Sequence, residues 1–281
     1  MKENILSPFR YYGAKYNSLD FILENLCHTK IYVDLFGGSG AILLNKRESV
    51  IEIFNDLNID IINFFSVLRE QREKLIDFLY LTPFSELEYK KAFYSLHKGT
   101  QLERARKFFT CANQSFTATT ARIQGWRLDI KTSNKFTTKN VEALENKIKN
   151  LPAIIDRLKY VQLSNQDFRK LIPKVDSSET LIYCDPPYLH STRGSNREYK
   201  HEMKIKDHIA FLEMIKECDS KIAISGYSSS LYNSYLGDWY RLEDNEHINT
   251  LGNNQKKKKE ILWLNYNPEF KQLNLFERKK I

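Results

Sequence analysis

Apolar, β-rich runs recur along the chain at Ile31–Phe36, Val50–Phe54, Tyr160–Ser164, Thr180–Cys184, Lys221–Ser225 and Glu260–Tyr266. Several are separated by segments in which Leu, Ile and Phe fall at helical spacing, and that alternation predicts an α/β fold. It breaks between about residues 65 and 152. There strand-like runs give way to charged, helix-favouring stretches at Leu68–Leu81, Ser85–His97 and Leu102–Ala112. The pattern therefore reads as one sheet domain built from 1–64 and 153–281, interrupted by a mainly helical insertion over 65–152. Inside the insertion, Asn113–Asn134 is rich in Ser, Thr, Gln and Gly around Phe116, Arg122, Gln124, Trp126 and Arg127, as expected of a loop or hairpin that displays donors and rings. The lysine run Lys256–Lys259 reads as a solvated loop before the last strand.

A chain of 281 residues with 42% hydrophobic content buries a full core, so disorder is not the expectation. The net charge of +8, carried alongside 35 acidic residues, suggests a basic face suited to a polyanionic partner. Cys27, Cys111, Cys184 and Cys218 form no Cys-x-x-Cys pair, so neither a zinc site nor a disulfide framework is indicated. No stretch approaches the roughly 18 apolar residues of a membrane span, and the N-terminus opens no secretory signal. The expected setting is a reducing cytoplasm, with no membrane contact and a monomeric chain. His190, His201 and His208 offer no ligand pair on one helical face; they read as solvated, and no metal is expected.

Two segments carry candidate chemistry. Cys184-Asp185-Pro186-Pro187-Tyr188 follows directly on the apolar run Thr180–Tyr183. A strand ending this way sets a carboxylate, a stiffened carbonyl and a ring face around a small space, because proline fixes φ and brings no N–H. Such a space suits a flipped planar base whose exocyclic NH₂ donates to Asp185 and to the Pro186 carbonyl while Tyr188 stacks. An ordinary strand-to-loop turn with two prolines is the alternative. The second segment is Asp34-Leu35-Phe36-Gly37-Gly38-Ser39-Gly40, a strand breaking into a glycine turn where backbone approaches a ligand closely. Asp56 ends the next strand, where doubly wound folds set an acid against ribose hydroxyls. Together they indicate an adenosine-containing cofactor. The turn lacks the third glycine of a pyrophosphate fingerprint and no phosphate-loop motif occurs, so S-adenosyl-L-methionine is favoured over nicotinamide or nucleoside triphosphate.

With these residues assembled, the chain resembles the adenine-specific DNA methyltransferases of the Dam-like, alpha-ordered group, over nearly its whole length. The motifs stand in that group's order as RYYGAK, DLFGGSG, NDLN, the helical insertion and CDPPY. The resemblance implies a Rossmann-like, S-adenosylmethionine-dependent methyltransferase sheet with a target-recognition insertion. It implies Tyr11 and Lys15 beside the methionine end of the cofactor, with Lys15 neutralising its carboxylate. Asp34, Phe36, Gly37, Gly38 and Gly40 would form the cofactor loop and Asp56 would bind the ribose. Asp167 and Phe168 would hold the adenine, Asp167 accepting from its amino group. Asp185, Pro186, Pro187 and Tyr188 would form the catalytic motif. One departure stands out: Gly13-Ala14-Lys15 replaces the usual Gly-Gly-Lys, which puts a Cβ where φ > 0 is tolerated.

The implied activity is methyl transfer to the amino group of an adenine flipped out of double-stranded DNA; a functional pairing with a cognate restriction endonuclease, regulation of a genome and carriage by a phage all stay open. Contacts to DNA are expected from the insertion. Arg104, Arg106, Lys107, Arg122, Arg127, Lys131 and Lys135 suit phosphates; Asn113, Gln114 and Gln124 suit base edges; Phe116 and Trp126 suit wedging into the vacated stack. The polar stretch from Leu189 to His201 reads as a loop that closes over the site. Amino methyltransferases acting on RNA or cytosine, and a catalytically silent DNA-binding module, remain as alternatives.

Overall fold

Each of the six apolar runs becomes a strand, and a seventh strand joins them. The computed structural model describes residues 4–11, 13–117, 120, 122–130, 137–189, 200–251 and 256–268, with backbone alone for 245–251 and 256–258. A 3-10 turn over Lys15–Ser18 leads into α1 (Leu19–Asn25), β1 (Ile31–Asp34), α2 (Ala41–Asn45) and β2 (Ile51–Asn55). Next come α3 (Ile59–Glu70), α4 (Arg72–Tyr80), α5 (Glu86–Tyr94), α6 (Gln101–Gln114) and α7 (Lys139–Leu158). The chain then returns to the sheet through β3 (Val161–Ser164), α8 (Phe168–Val175), β4 (Thr180–Cys184), α9 (Ile205–Lys216), β5 (Lys221–Gly226), α10 (Ser230–Tyr235), β6 (Tyr240–Leu251) and β7 (Lys256–Leu264).

The strands lie in the order β3-β2-β1-β4-β5-β7-β6. Five are parallel, β7 runs antiparallel to β5, and β6 runs antiparallel to β7. Strand order therefore reverses between β1 and β4, which makes their carboxyl ends a topological switch point, the place where open α/β sheets bind ligands. The pairing of Asp34 with Tyr183 brings the glycine turn after β1 beside the Asp-Pro-Pro-Tyr turn after β4.

Alternation along β1 sends Tyr32 and Val33 to opposite faces, each fully buried in a separate apolar cluster. Val33 packs with Ile182, Ile224 and the apolar sides of α8 and α9. Tyr32 belongs to the larger cluster, which runs on without a break through Phe64, Phe65, Leu75, Phe108 and Leu151. Phe9 sits among these rings, edge-on to Phe64 at 5.3 Å and to Phe108 at 4.9 Å. The insertion helices thus share the core of the sheet. The expected boundaries at 64/65 and 152/153 fall inside the continuous helices α3 and α7, with Pro152 inside α7.

Three expectations are corrected. The helix read over Leu68–Leu81 is two helices that meet at Gln71, whose extended-side φ of −131° breaks the α geometry. Lys256–Lys259 is not a loop: it opens β7, which continues beyond the sheet proper as a two-stranded ribbon with β6, past an irregularity between Glu243 and Ile248. His208 is fully buried rather than solvated, its Nδ1 2.9 Å from the Tyr232 hydroxyl. All four cysteines are free thiols. Among the described residues no helix is long and apolar enough to cross a membrane.

Candidate active site

The turn after β1 passes so close to β2 that a Cβ on Gly37 would lie 2.2 Å from the Phe54 ring, so only glycine fits there. The Gly38 N–H donates to Asp56 Oδ2 at 2.8 Å and the Asn58 N–H to Asp56 Oδ1 at 2.7 Å. Each carboxylate oxygen keeps a further lone pair for a ligand hydroxyl. Burial pushes the Asp56 carboxyl up to about 6 against the opposing pull of those two amides. Asp34, at the end of β1, is buried under the turn. Its carboxyl is pushed up to about 8, by burial first and then by the charges of Asp185 and Asp56.

Lys15 is buried, 6% exposed, although it lies near the N-terminus. Gly13 takes the positive φ of 79° in its turn while Ala14 sits at φ −55°, so the alanine that replaces the usual glycine is unstrained. The Lys15 ammonium stands 2.7 Å from Asp185 Oδ2, donates to the Gly13 carbonyl at 2.9 Å, and lies 4.7 Å from the centre of the Tyr188 ring. Behind it, Glu260 of β7 is 3.9 Å from the ammonium and accepts the Tyr188 hydroxyl at 2.7 Å. Burial lifts the Asp185 carboxyl, outweighing Lys15, and pushes Glu260 up to about 7. Tyr188 is held on both sides, with the Tyr227 ring edge-on at 4.8 Å.

Glu260 escapes a motif reading because it belongs to no motif. Its signal was a lone acid opening the apolar run Glu260-Ile261-Leu262-Trp263-Leu264, where every following residue is buried.

Three spaces meet here. The largest, about 230 Å³, is lined by Asp56, Phe36, Asp167, Phe168, Tyr11, His201 and Asp185 among others. A narrower one of about 30 Å³ runs between Lys15, the glycine turn, Tyr11 and Asp185. A slot of about 10 Å³ lies under Pro186, Tyr188, Ser225 and Tyr227. Asp185 borders the first two, and Pro186 and Tyr188 wall the third. Aromatic faces and a hydroxyl-accepting acid in the large space suit an adenosine, and the ammonium in the narrow one suits a carboxylate, so the residues present fit S-adenosylmethionine. Tyr11 lines the first two of these spaces. Its hydroxyl is made less acidic by burial and by Asp56, Asp185 and Glu202. Asp167 caps α8 through the Arg169 N–H at 2.9 Å, and Arg169 also bridges it to Asp207. The segment 190–199, read as a closing loop, lies outside the described residues.

The insertion sorts its polar residues differently from the sequence reading. Arg104 pairs with buried Asp60, Arg106 with Glu88, and Lys107 donates to the carbonyls of Ser95 and Lys98. Asn113 and Gln114 are buried, so neither reads a base: Gln114 ties Ser85, Pro83 and Trp126 together. Trp126 is anchored by that bond and by contact with Phe84. Ser115 and Trp126 bridge the two arms of a hairpin on which Arg122 and Gly125 are exposed and Phe116 is 67% exposed. Gln124 is fixed through its backbone by the Tyr89 hydroxyl. Lys131 and Lys135 lie outside the described residues.

A reversed-order sheet that sets a glycine turn, an acid one strand away and a second acid across the switch point at one crevice has the Rossmann-like methyltransferase fold. Over residues 11–256 the chain matches the D12 class N6 adenine-specific DNA methyltransferase family, and it belongs to that family. It is similar to a DNA N-6-adenine-methyltransferase of Escherichia phage P1, 24% identical over 75% of this chain and 28% of that protein. It is also similar to the modification methylase StsI of Streptococcus sanguinis, 26% identical over 99% of this chain and 45% of that protein. The type II methyltransferase M.MjaIII of Methanocaldococcus jannaschii is 24% identical over 84% of this chain and 86% of its own length. The chain thus spans less than half the length of the first two relatives.

Proposed function

We propose that this chain methylates the exocyclic amino group of adenine in double-stranded DNA at a specific sequence, using S-adenosylmethionine. The observation that carries the reading is the position of Asp185, which borders both the large space and the narrow one and is fixed by Lys15 at 2.7 Å. S-adenosylmethionine supplies, when bound, a methyl group on a positively charged sulfur with a neutral leaving group. No metal is needed, and placement is the main demand.

The side chains then divide the work. Lys15 holds Asp185 Oδ2, with Ser225 and Tyr188 beside the same carboxylate, which accepts one N–H of the target amine while the Pro186 carbonyl accepts the other. An aromatic amine is a poor nucleophile because its lone pair is delocalised. Both bonds strengthen as positive charge develops on the nitrogen, so they favour the transition state over the ground state. Asp56 binds the ribose hydroxyls, and Phe36 and Phe168 flank the adenine of the cofactor, with Asp167 accepting from its amino group. The hairpin of the 65–152 insertion, with Arg122, Gln124 and Arg127, meets the DNA, and exposed Phe116 enters the stack vacated by the flipped base. The names of two relatives, a modification methylase and a type II methyltransferase, support a role beside a cognate restriction endonuclease. Nucleoside mass spectrometry of duplex DNA, incubated with the protein and S-adenosylmethionine, tests the reading. N6-methyl-2′-deoxyadenosine is expected; N4-methyl-2′-deoxycytidine, or methylation of RNA alone, would overturn it.

A further inference from the structure

Arg10 of the N-terminal segment and Lys147 of α7 meet on one amide, Asn113 of α6, and Arg127 of the hairpin is held by the next residue, Gln114. Lys147 Nζ donates to Asn113 Oδ1 at 2.9 Å, and the Arg10 backbone N–H donates to the same oxygen at 3.2 Å. The Arg10 guanidinium donates to the carbonyls of Ser115 and Phe116 at 3.0 and 3.4 Å, which sets it against the base of the hairpin. Arg127 is anchored there by its own backbone, through Gln114 and Asn140, and lies near enough to repel both other cations.

Among the described residues no carboxylate forms an ion pair with any of the three. Other half-buried cations of this chain divide: Arg104 has Asp60, Arg106 has Glu88, and Lys46 and Arg157 share Glu52, whereas Arg69 and Lys107 donate to backbone carbonyls. Concentrating like charges away from water is unfavourable unless an anion completes the group. The consequence is visible in Lys147, whose ammonium is pushed down to about 7 by burial and by Arg10 and Arg127. The guanidinium N–H groups of Arg10 not used on the Ser115 and Phe116 carbonyls, those of Arg127 and the Lys147 ammonium match the tetrahedral oxygens of a phosphodiester. The place is also right: Tyr11, next to Arg10, borders both the large space and the narrow one, and exposed Phe116 is bonded to Arg10 on the other side.

We propose that Arg10, Arg127 and Lys147 form a clamp for one backbone phosphate of the DNA strand that carries the flipped adenine. The proposal rests on the DNA reading above and adds to it a specific, sequence-independent contact outside the catalytic motif. Neutralising one phosphate changes the salt slope of duplex binding by about one.

The test is the affinity for a mixed-sequence DNA duplex as a function of salt, for the wild type and for Lys147→Gln, Arg127→Gln and the control Lys30→Gln. Lys30 is an exposed residue paired with Glu179, away from the cluster. Each clamp variant is expected to lose about one from the slope of log affinity against log salt and to bind about tenfold more weakly at low salt. The control should keep the wild-type slope, and all four proteins should bind S-adenosylmethionine alike. Using two clamp variants on different elements guards against one that misfolds, which the cofactor measurement would reveal. Unchanged slopes in cofactor-competent clamp variants, with a wild type that binds and methylates the duplex, would overturn the clamp and leave the enzymatic reading standing. A wild type that binds no duplex would overturn both.

Discussion

Replacing Lys15 with methionine separates two roles for one ammonium. The substitution keeps an unbranched apolar stem in a buried position and removes the charge 2.7 Å from Asp185 and 3.9 Å from Glu260. Breaking a buried ion pair by deleting one partner costs about 3–5 kcal/mol. Asp185 is 21% exposed, and water reaching it reduces that to about 2–3 kcal/mol. The carboxylate escapes the cost by taking up a proton, and at 1.36 kcal/mol per pH unit the acid limb of its activity moves up by about two pH units. Since burial already lifts this carboxyl, activity at pH 7 should fall by up to about 100-fold and recover as the pH is raised. Initial rates of methyl transfer at saturating S-adenosylmethionine between pH 6 and 9.5 provide the assay. A loss of the same factor at every pH, with KM for the cofactor raised, would refute the argument and return Lys15 to the cofactor carboxylate alone.

Asp185→Ala should lower kcat by at least about 10²–10³ while cofactor affinity stays within a few-fold, since one preorganised transition-state contact is worth that much; isothermal titration beside steady-state rates checks both halves. Asp34 binds its proton more tightly in the folded chain than its ordinary value of 3.8 allows, so it removes stability progressively as pH rises from about 4 to about 8. Asp34→Asn should therefore shrink the fall in Tm between pH 5 and pH 8, and an undiminished fall would count against a buried, proton-holding Asp34. Gly37→Ala drives a methyl group into the Phe54 ring and should cost about 1–3 kcal/mol in denaturant unfolding, with weaker cofactor binding. Tyr188→Phe should do more than trim a stacking ring, because it strips Glu260 of a buried donor; a loss of about 1–3 kcal/mol in thermal or denaturant stability is expected.

What the sequence conveyed follows from where the physics is local. Strands buried on both faces are nearly uninterrupted apolar runs, so β1 to β5 and the end of β7 stand out. β6 does not, because its sequence YRLEDNEHINTL carries charge through a strand that lies at the edge of the sheet and extends into a two-stranded ribbon. The glycine turn, Asp56 and the Asp-Pro-Pro-Tyr turn are contiguous with strand ends, and strand order alone brings them together. Long-range partners were hidden. Nothing near Asp185 in sequence points to Glu260, 75 positions further on, and nothing near Arg10 points to Lys147. Amide side chains misled for the same reason: Asn113 and Gln114 look like base readers on a polar stretch, yet they terminate α6 in the core and tie three segments together.

The central claim is that this crevice methylates adenine in DNA through Asp185. Genomic DNA from a methylation-deficient host expressing either the wild-type chain or Asp185→Ala, read by long-read sequencing that detects modified bases, tests it most directly. The account predicts N6-methyladenine confined to one short sequence in the wild type and none in the variant. Modified cytosine, or adenine methylation that persists in Asp185→Ala, would contradict it.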